Sequence, residues 1–272
     1  MSTLDLSLRD IAAISGRSAA RDAAPPWIGS VLIERRLNGP RRWANGGFAA
    51  GSIAQHIDSD TVTVVLTKPI PLGRPLDVVE DGHGGGLVHD RRKLLARARA
   101  GHLVDVPTPP APTYDAALVA RARHPLARTR HPLSDCIVCG PRRADGMHVT
   151  PGPVPGDPDR LAAPWTVEAG FAHAGLAHYP AVWGALDCVS YPAAALEQGA
   201  VCLLGTMTAR VTRRPRLGEH LVVHSWTREH LGRRYETSAA MVDRDGMLVA
   251  RADSTWIAVR HQARARLLGW FA

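Results

Sequence analysis

The stretch TVTVVLTKPIPLGRPLDVV, residues 61–79, returns later in the chain as TMTARVTRRPRLGEHLVVH, residues 206–224. Leu72 matches Leu217 at a separation of 145 residues (217 − 72), and a glycine follows each of them. Both copies are rich in Val, Thr and Leu and are interrupted by a Leu-Gly turn, which is typical of antiparallel β-strands. The repeat therefore predicts the internal duplication of a β-rich unit.

A second pair of segments matches in the same order along the chain. LLARA at residues 94–98 matches LVARA at residues 248–252, at a separation of 154 residues (248 − 94). The larger separation requires a small insertion in the second copy, between the two matched segments. The repeat therefore extends over several strands in each half of the chain.

Each copy also predicts one helix upstream of its strands. Asn45 can cap the first helix, whose apolar residues recur at four-residue spacing up to Ile57. Pro180 suits the first turn of the second helix, whose apolar stripe runs to Val189 before Pro192 ends it. A strand, a helix and about four antiparallel strands, repeated once, predict an α+β fold in which each antiparallel sheet is wrapped around a central helix.

The repeat divides the chain into two predicted domains and a linker. The N-terminal domain covers residues 27–105 and the C-terminal domain covers residues 134–260. Residues 106–133 between them open with several prolines and include a short Ala/Arg stretch that can be helical. We therefore expect this linker to cross the surface.

Composition restricts the class of protein. Of 272 residues, 45% are hydrophobic and 21% are charged, as in globular proteins, and no apolar run approaches the ~20 residues that span a bilayer. The first residues lack the positive-then-apolar order of a secretion signal. We therefore expect a cytoplasmic protein that does not bind membranes.

The net charge of +8 raises the question of an anionic partner. Nearly all of the positive charge is arginine spread along the chain, and only 5% of residues are aromatic, which disfavours nucleic acid and leaves an arginine-rich nucleic-acid binder as the weakest hypothesis. A basic surface suits a phosphorylated small ligand equally well. Coenzyme A is such a ligand.

Four cysteines occur in a chain without an export signal, so we expect reduced thiols rather than disulfides. Cys136 and Cys139 form a Cys-x-x-Cys pair, which is half of a zinc site. No second such pair exists, and His148, Cys188 or Cys202 would complete the site only if the fold brought them close. The sequence therefore favours two packed thiols that begin a strand, with no metal, over a zinc or redox site.

Three segments resemble acyl-CoA thioesterases with two tandem hotdog domains. CIVCGPRRADGMH, residues 136–148, resembles the opening of many hotdog domains of the thioesterase superfamily. WANGGFAAG, residues 43–51, resembles the Gly-Gly entry to the central helix, and VWGALDC, residues 182–188, resembles the helix segment that carries the catalytic aspartate. The resemblance implies a double-hotdog fold, an acyl-CoA or acyl-carrier-protein thioester as substrate, no cofactor, and a homodimer.

The resemblance also implies roles for individual residues. Asp187 would be the general base, and Gly46 and Gly47 would polarise the thioester carbonyl through their backbone N–H groups. A hydroxyl of Thr206 or Thr208 would place the attacking water. An alternative for Asp187 is that it only accepts hydrogen bonds from nearby backbone amides. An alternative for the glycines is that they only permit tight packing of the helix.

The remaining binding residues lie near the two helix starts. Asn45, Phe48 and Trp183 are predicted to contact the substrate, the two aromatic side chains as walls for the acyl chain, although such residues are also ordinary core residues. Arginines at the mouth of the groove would meet the phosphates of coenzyme A.

The sequence departs from the family pattern at one position. Active double-hotdog enzymes support the aspartate with a Gln late in the chain, whereas this chain has Asp253-Ser254-Thr255 there. This departure favours a second hypothesis, a non-catalytic hotdog protein that binds acyl-CoA, acyl-carrier protein or a lipid without hydrolysing it.

Overall fold

The computed structural model describes residues 26–127 and 131–265. The first copy of the repeat contains one strand, one helix and four further strands. These elements are β1 (Trp27–Leu32), α1 (Gly46–Ala54), β2 (Thr61–Leu66), β3 (Pro75–Glu80), β4 (Gly86–Asp90) and β5 (Lys93–Ala100).

The second copy repeats this order and adds short elements. Helix α2 (Tyr114–Ala122) lies between the copies. The second copy consists of β6 (Gly152–Val154), β7 (Asp157–Thr166), a 3-10 turn (Ala169–Phe171), β8 (Ala172–His173), β9 (Leu176–Ala177), α3 (Tyr179–Val189), α4 (Ala193–Glu197), β10 (Cys202–Val211), β11 (His220–Leu231), β12 (Arg234–Val242) and β13 (Leu248–Ala258). The order β7-α3-β10-β11-β12-β13 matches the first copy, which confirms the predicted α+β fold.

The sheets of the two copies are continuous. Eleven strands form one antiparallel sheet in the order β1-β3-β4-β5-β2-β10-β13-β12-β11-β7-β6, while β8 and β9 pair separately. The five strands of the first copy join the six of the second where β2 pairs with β10. Helices α1 and α3 pack against each other and against this sheet, and the main hydrophobic core lies between them.

The pairing of β2 with β10 follows the duplication residue by residue. Thr63 lies opposite Thr208, 145 residues later, and their hydroxyl oxygens are 2.8 Å apart. Thr63 also pairs with Arg99 as Thr208 pairs with Asp253, and Arg99 and Asp253 are 154 residues apart (253 − 99). Both sequence separations therefore recur in the register of the strands, with the two threonines at the point of near-twofold symmetry.

Close contact between the two central helices depends on glycine. Asn45 caps α1 as predicted, because its Oδ1 accepts from the Phe48 N–H at 2.9 Å. A Cβ on Gly47 would lie 2.5 Å from the Trp183 carbonyl oxygen, and one on Gly51 would lie 2.8 Å from the Cα of Pro180. The helices therefore run antiparallel in contact, with these glycines facing the partner helix.

Helix α1 is shorter than predicted. It ends at Ala54 rather than at Ile57, because the two N–H groups after the cap Gln55 bond three residues back: His56 to Ile53 and Ile57 to Ala54. Such bonds tighten the chain into a turn. Ile57 remains buried in the core although it lies outside the helix.

The predicted linker includes α2. Thr113 caps this helix by accepting from the Ala116 N–H, and Ala117 and Ala120 pack against Val222 and Val242 of the sheet. The boundaries 27–105, 106–133 and 134–260 stay predictions, since one sheet runs through both copies.

Within the described ranges, no helix is long and apolar enough to cross a membrane.

The path from helix to strand differs between the copies. In the first copy, α1 ends at Ala54 and β2 begins at Thr61; in the second, α3 ends at Val189 and β10 begins only at Cys202. Helix α4 occupies the longer path. This extra segment becomes one wall of the cavity that is described next.

Candidate active site

A cavity of about 410 Å³ lies between the start of α1, the end of α3 and the α4 segment. Its wall is mostly apolar. The large apolar side chains on it include Trp43, Leu66, Tyr191, Leu196, Leu204 and Trp256. Polar groups are few and include Asn45 and Asp187. A mostly apolar cavity with a small number of polar groups is the usual form of a site for an organic ligand.

Asp187 is the buried acid of this cavity. Its side chain belongs to α3, and the residue is only 2% exposed. Oδ2 accepts a hydrogen bond from the Gly47 N–H at 2.8 Å, whereas Oδ1 has no hydrogen-bond partner among the described residues. Because buried carboxylate oxygens are normally hydrogen-bonded, the free Oδ1 is available to a ligand or to water.

The surroundings of Asp187 favour its neutral form. Burial is the main cause that raises its pKa, to about 7, and the nearby Cys136 adds to the shift. The Gly47 N–H and the Asn45 side chain act in the opposite direction, because they favour the carboxylate. The acid and its carboxylate therefore coexist near neutral pH.

The first three N–H groups of α1 differ in their hydrogen bonds: two have an acceptor, and one has none within the described part of the chain. The Phe48 N–H is bound by the cap Asn45, and the Gly47 N–H is bound by Asp187. The Gly46 N–H has no acceptor within the described part of the chain, and Gly46 lines the cavity. A helix start leaves such groups unpaired beside the positive end of the helix dipole. Gly46, with this free N–H, therefore lines the cavity beside Asp187.

The two glycines are needed for different reasons. Gly47 has no room for a side chain, since a Cβ there would meet the Cβ of Asp187 and the Trp183 carbonyl oxygen. Gly46 is less confined: its Cβ would lie 3.0 Å from Leu204 Cδ2 and 3.5 Å from Asp187 Oδ2. Tight packing against backbone, the alternative reading of the pair, therefore accounts for Gly47, whereas the neighbours of Gly46 are side-chain atoms only.

A hydroxyl network holds the end of α3 against the sheet. Ser190 Oγ lies 2.8 Å from the backbone oxygen of Asp187 and 3.1 Å from Ser254 Oγ, and it accepts from Trp256 Nε1 at 3.1 Å. Ser254 belongs to the Asp253-Ser254-Thr255 segment, which stands where the family pattern implies a Gln that supports the aspartate. The serine therefore lies behind the helix and supports it from the side of the sheet.

All four cysteines line the cavity. The Sγ atoms of Cys136, Cys139 and Cys188 lie within 4.8 Å of one another, and Cys202 lies outside this cluster. The neighbouring thiols of Cys139 and Cys188 lower the pKa of Cys136 and thereby favour its thiolate.

Several predicted residues are not brought to the cavity. Phe48 and Trp183 are buried in the core, where Phe48 packs against Phe171. Thr206 and Thr208 alternate with the core residue Met207, so they lie on the opposite face of the sheet from the helices. Neither threonine borders the cavity, so this geometry gives no support to their predicted role in placing water.

Other cavity residues were missed by the sequence analysis. Tyr191 and Leu196 lie in the longer path between α3 and β10, which neither repeat separation indicates, because both separations are measured between segments farther along the chain. Leu204 turns toward the cavity at a bulge between Leu204 and Thr206. Trp256 had no local signal, because its place follows from the pairing of β13 with β10.

The fold is shared with solved structures of low sequence identity. The tesB protein of Mycobacterium avium subspecies paratuberculosis is 14% identical, with 93% of this chain and 100% of that chain covered and a TM-score of 0.55. A candidate thioesterase II from Thermobifida fusca is 13% identical, over 87% and 96% of the two chains, with a TM-score of 0.55. A candidate thioesterase from Novosphingobium aromaticivorans is 12% identical, over 87% and 100%, with a TM-score of 0.54.

No protein-family model and no curated protein matches the sequence. Because the structural matches extend over most of the chain, they establish the double-hotdog fold that the sequence predicts. At such low identity they establish the fold alone and leave the reaction open.

Proposed function

We propose that this chain is a thioesterase that hydrolyses acyl-CoA thioesters in the cavity between its two hotdog repeats. One observation carries the proposal: Asp187, whose Oδ1 has no partner, and Gly46, whose N–H has no acceptor, both line the same apolar cavity within the described part of the chain. A base and an oxyanion donor on one wall are the two groups that thioester hydrolysis needs.

The reaction begins with the thioester carbonyl oxygen bound to the Gly46 N–H. Asp187 Oδ1 takes a proton from a water molecule, and the water oxygen adds to the carbonyl carbon. Negative charge then moves onto the carbonyl oxygen, where the Gly46 N–H and the start of α1 stabilise it more strongly than in the substrate. When the C–S bond breaks, the thiolate takes the proton from the Asp187 carboxyl group. The carboxylic acid product and the thiol then leave the cavity.

Gly47 has a different role from the one first expected. Its N–H is bonded to Asp187 Oδ2 at 2.8 Å, so it orients the carboxylate and is not free for the substrate. Asn45 acts in a similar way, because its cap bond fixes the start of α1. Gly46 is therefore the proposed oxyanion donor, while Gly47 and Asn45 are positioning residues.

The lining of the cavity suits an acyl chain more clearly than it suits phosphate. Its apolar walls would hold the acyl group, since burial of apolar surface favours binding. The basic side chains on the lining are Lys68, His124 and His131, and none of the lining residues is an arginine. Lys68 is therefore the proposed contact for an anionic part of the thiol carrier in place of the arginines first expected.

A non-catalytic acyl-CoA or acyl-carrier-protein binder is the second candidate. The observation that favours it is the position of Thr206, Thr208 and Ser254, none of which lines the cavity. No strand hydroxyl is then available to orient water beside Asp187 within the described part of the cavity. In that case the cavity would bind the thioester without hydrolysing it.

A matched pair of variants tests the proposal. Purified protein is given a panel of acyl-CoA and acyl-carrier-protein thioesters, and thiol release is followed for the wild type, Asp187→Asn and Asp253→Asn. Asp253 is a second buried carboxylate, bonded to Ser238 and to the Val104 N–H away from the cavity. We expect Asp187→Asn to lose about 100-fold or more in kcat, the usual effect of removing a general base, and Asp253→Asn to retain the rate.

The same panel distinguishes the two candidates. Saturable binding of an acyl-CoA without thiol release from the wild type would refute hydrolysis and support the binder. Equal rates for the wild type and Asp187→Asn would refute the assigned base. A homodimer and a cytoplasmic location stay predictions, and light scattering of the purified chain tests the first of them.

A further inference from the structure

Three thiols from two distant segments converge on one wall of the cavity. Cys136 and Cys139 belong to the loop before β6, and Cys188 belongs to α3. Their sulfur atoms lie within 4.8 Å of one another, and those of Cys136 and Cys188 are 3.7 Å apart. A tetrahedral zinc ion with Zn–S bonds of about 2.3 Å holds its sulfurs about 3.8 Å apart. The cluster therefore needs little adjustment to reach this spacing.

We propose that Cys136, Cys139 and Cys188 form a binding site for a thiolate-preferring cation of the Zn²⁺ type. The site goes beyond the proposed function and does not depend on it. It replaces the sequence-based expectation of two packed thiols without metal, because the fold supplies the third sulfur that the Cys-x-x-Cys pair lacks.

The loop that carries the first two cysteines is shaped to present both sulfurs on one side. The Gly140 N–H donates to the Cys136 carbonyl oxygen at 2.8 Å, which closes the turn. A Cβ on Gly140 would lie 2.5 Å from that oxygen and 2.9 Å from the Ser134 oxygen, so only glycine fits. The turn therefore holds Cys136 and Cys139 with their sulfurs close together.

Asn45 supplies a further donor to the same cluster. Its side-chain nitrogen lies 3.6 Å from Cys136 Sγ and 3.5 Å from Cys188 Sγ. An amide N–H₂ group can only donate, so both sulfurs accept, as thiolates do in metal sites. The cap of α1 thereby orients two ligands from different parts of the chain.

The fourth position of the site opens toward the cavity. Cys139 is only half-buried, and all three cysteines border the cavity. A cation can therefore enter from solvent through the cavity, and its fourth ligand is water or a ligand of the cavity. Three protein ligands with one open position are a common arrangement for zinc outside closed structural sites.

Co²⁺ and Zn²⁺ binding to the full chain tests the site. Reduced protein is treated with a chelator, freed of it and titrated with Co²⁺, which gives a thiolate charge-transfer band and intense visible bands in a tetrahedral sulfur site. We expect one Co²⁺ per chain, displaced by Zn²⁺, for the wild type and for Cys202→Ser. Cys202 is the matched control, because it lines the same cavity outside the cluster.

Removal of a ligand should abolish the signal. We expect Cys188→Ser and Cys139→Ser to weaken metal binding by more than about 100-fold, since the thiolate is the ligand that zinc prefers. Cys139→Ser keeps the test valid if Cys188→Ser fails to fold, because Cys139 is the half-buried member of the cluster. Zn²⁺ should also raise the Tm of the wild type and of Cys202→Ser but not of the other two variants.

Two results would overturn the site. The first is a wild-type titration without a thiolate band, which would leave only packed thiols. The second is Co²⁺ binding that survives in both Cys188→Ser and Cys139→Ser, which would place the metal elsewhere. Neither result depends on whether the chain hydrolyses a thioester, so this test and the test of the proposed function fail independently.

Discussion

The starts of the two central helices occupy equivalent places in the duplication but differ in chemistry. Helix α1 begins after the cap Asn45 with two glycines, while α3 begins after the cap His178 with Tyr179 and Pro180. Proline has no N–H to offer, so α3 cannot present the same row of donors. The start of α1 therefore offers backbone N–H groups that the start of α3 lacks.

The ends of the two helices differ in the complementary way. Asp187 is nine residues after the cap of α3, and the residue nine after the cap of α1 is Ala54. Because the helices are antiparallel, the acid of one copy meets the glycines of the other. Helix α4, which is present only in the second copy, forms part of the cavity wall at the end of α3. The two unequal copies therefore combine Asp187 from one copy with Gly46 and Gly47 from the other at one place in the structure.

The largest expected effect comes from breaking the glycine contact between the helices. Gly47→Ala should lower the free energy of unfolding by about 3 kcal/mol or more, because its Cβ would meet Asp187 and the Trp183 backbone, which cannot move aside cheaply. Gly170→Ala is the control, since a Cβ there meets no atom within 4 Å. Urea unfolding compares the two, and equal midpoints would contradict the packing argument.

Replacing His224 by the residue of the first copy should remove an acid sensitivity. His224 matches Val79 at the repeat separation of 145 residues (224 − 79). Burial, with Arg160 nearby, lowers the pKa of His224 from 6.5 to about 4. As pH falls between these values, the unfolded chain takes up a proton that the folded chain does not bind, so stability is lost.

His224→Val should therefore lose less stability than the wild type between pH 6.5 and pH 4. The difference should reach up to about 3 kcal/mol at the acid end, from 1.36 kcal/mol for each pKa unit. Unfolding by urea at a series of pH values measures it for both proteins. Parallel pH profiles would contradict a neutral buried imidazole.

A methyl group at Gly46 separates the role of this residue from that of Gly47. Gly46→Ala should lose less stability than Gly47→Ala, because its closest atoms, Leu204 Cδ2 at 3.0 Å and Leu204 Cβ at 3.2 Å, need to shift by only a few tenths of an ångström. Thioester hydrolysis should fall about 10- to 100-fold, because the methyl fills space beside Asp187 where the carbonyl must bind. Tyr179→Phe, at the equivalent position of α3, should leave the rate unchanged. Equal losses in the two variants would remove the distinction between the helix starts.

The smallest effect concerns the point where the two copies are most alike. Thr63 and Thr208 share a hydrogen bond of 2.8 Å across the junction of the sheets. A double-mutant cycle with Thr63→Val and Thr208→Val should give a coupling of about 0.5–1 kcal/mol. Urea unfolding of the four proteins measures this coupling. Purely additive effects would indicate that the bond adds nothing to the continuous sheet.

Much of the fold could be predicted because its signals are local. The alternation of Val and Thr at 61–66, the cap at Asn45 and the proline at Pro180 each act within a few residues. The repeat added long-range information, since residues with equal places in two copies lie in equivalent registers. The candidate site was harder to predict from the sequence. Asp187, Gly46 and Gly47 were selected by their resemblance to a known family, and all three lie at the start of α1 or the end of α3. Thr206 and Phe48 were also selected, but neither lines the cavity.

By itself, the sequence determined the duplication, the order of elements and the α+β class, because periodicity and turn residues are written into neighbouring positions. Only the tertiary structure decided that Gly47 bonds to Asp187 across 140 residues while Gly46 stays free. Likewise, it alone brought Cys188 to Cys136 across 52 residues. Such contacts depend on how closely two helices approach each other on one continuous sheet, and that distance is set by the packing of the whole core.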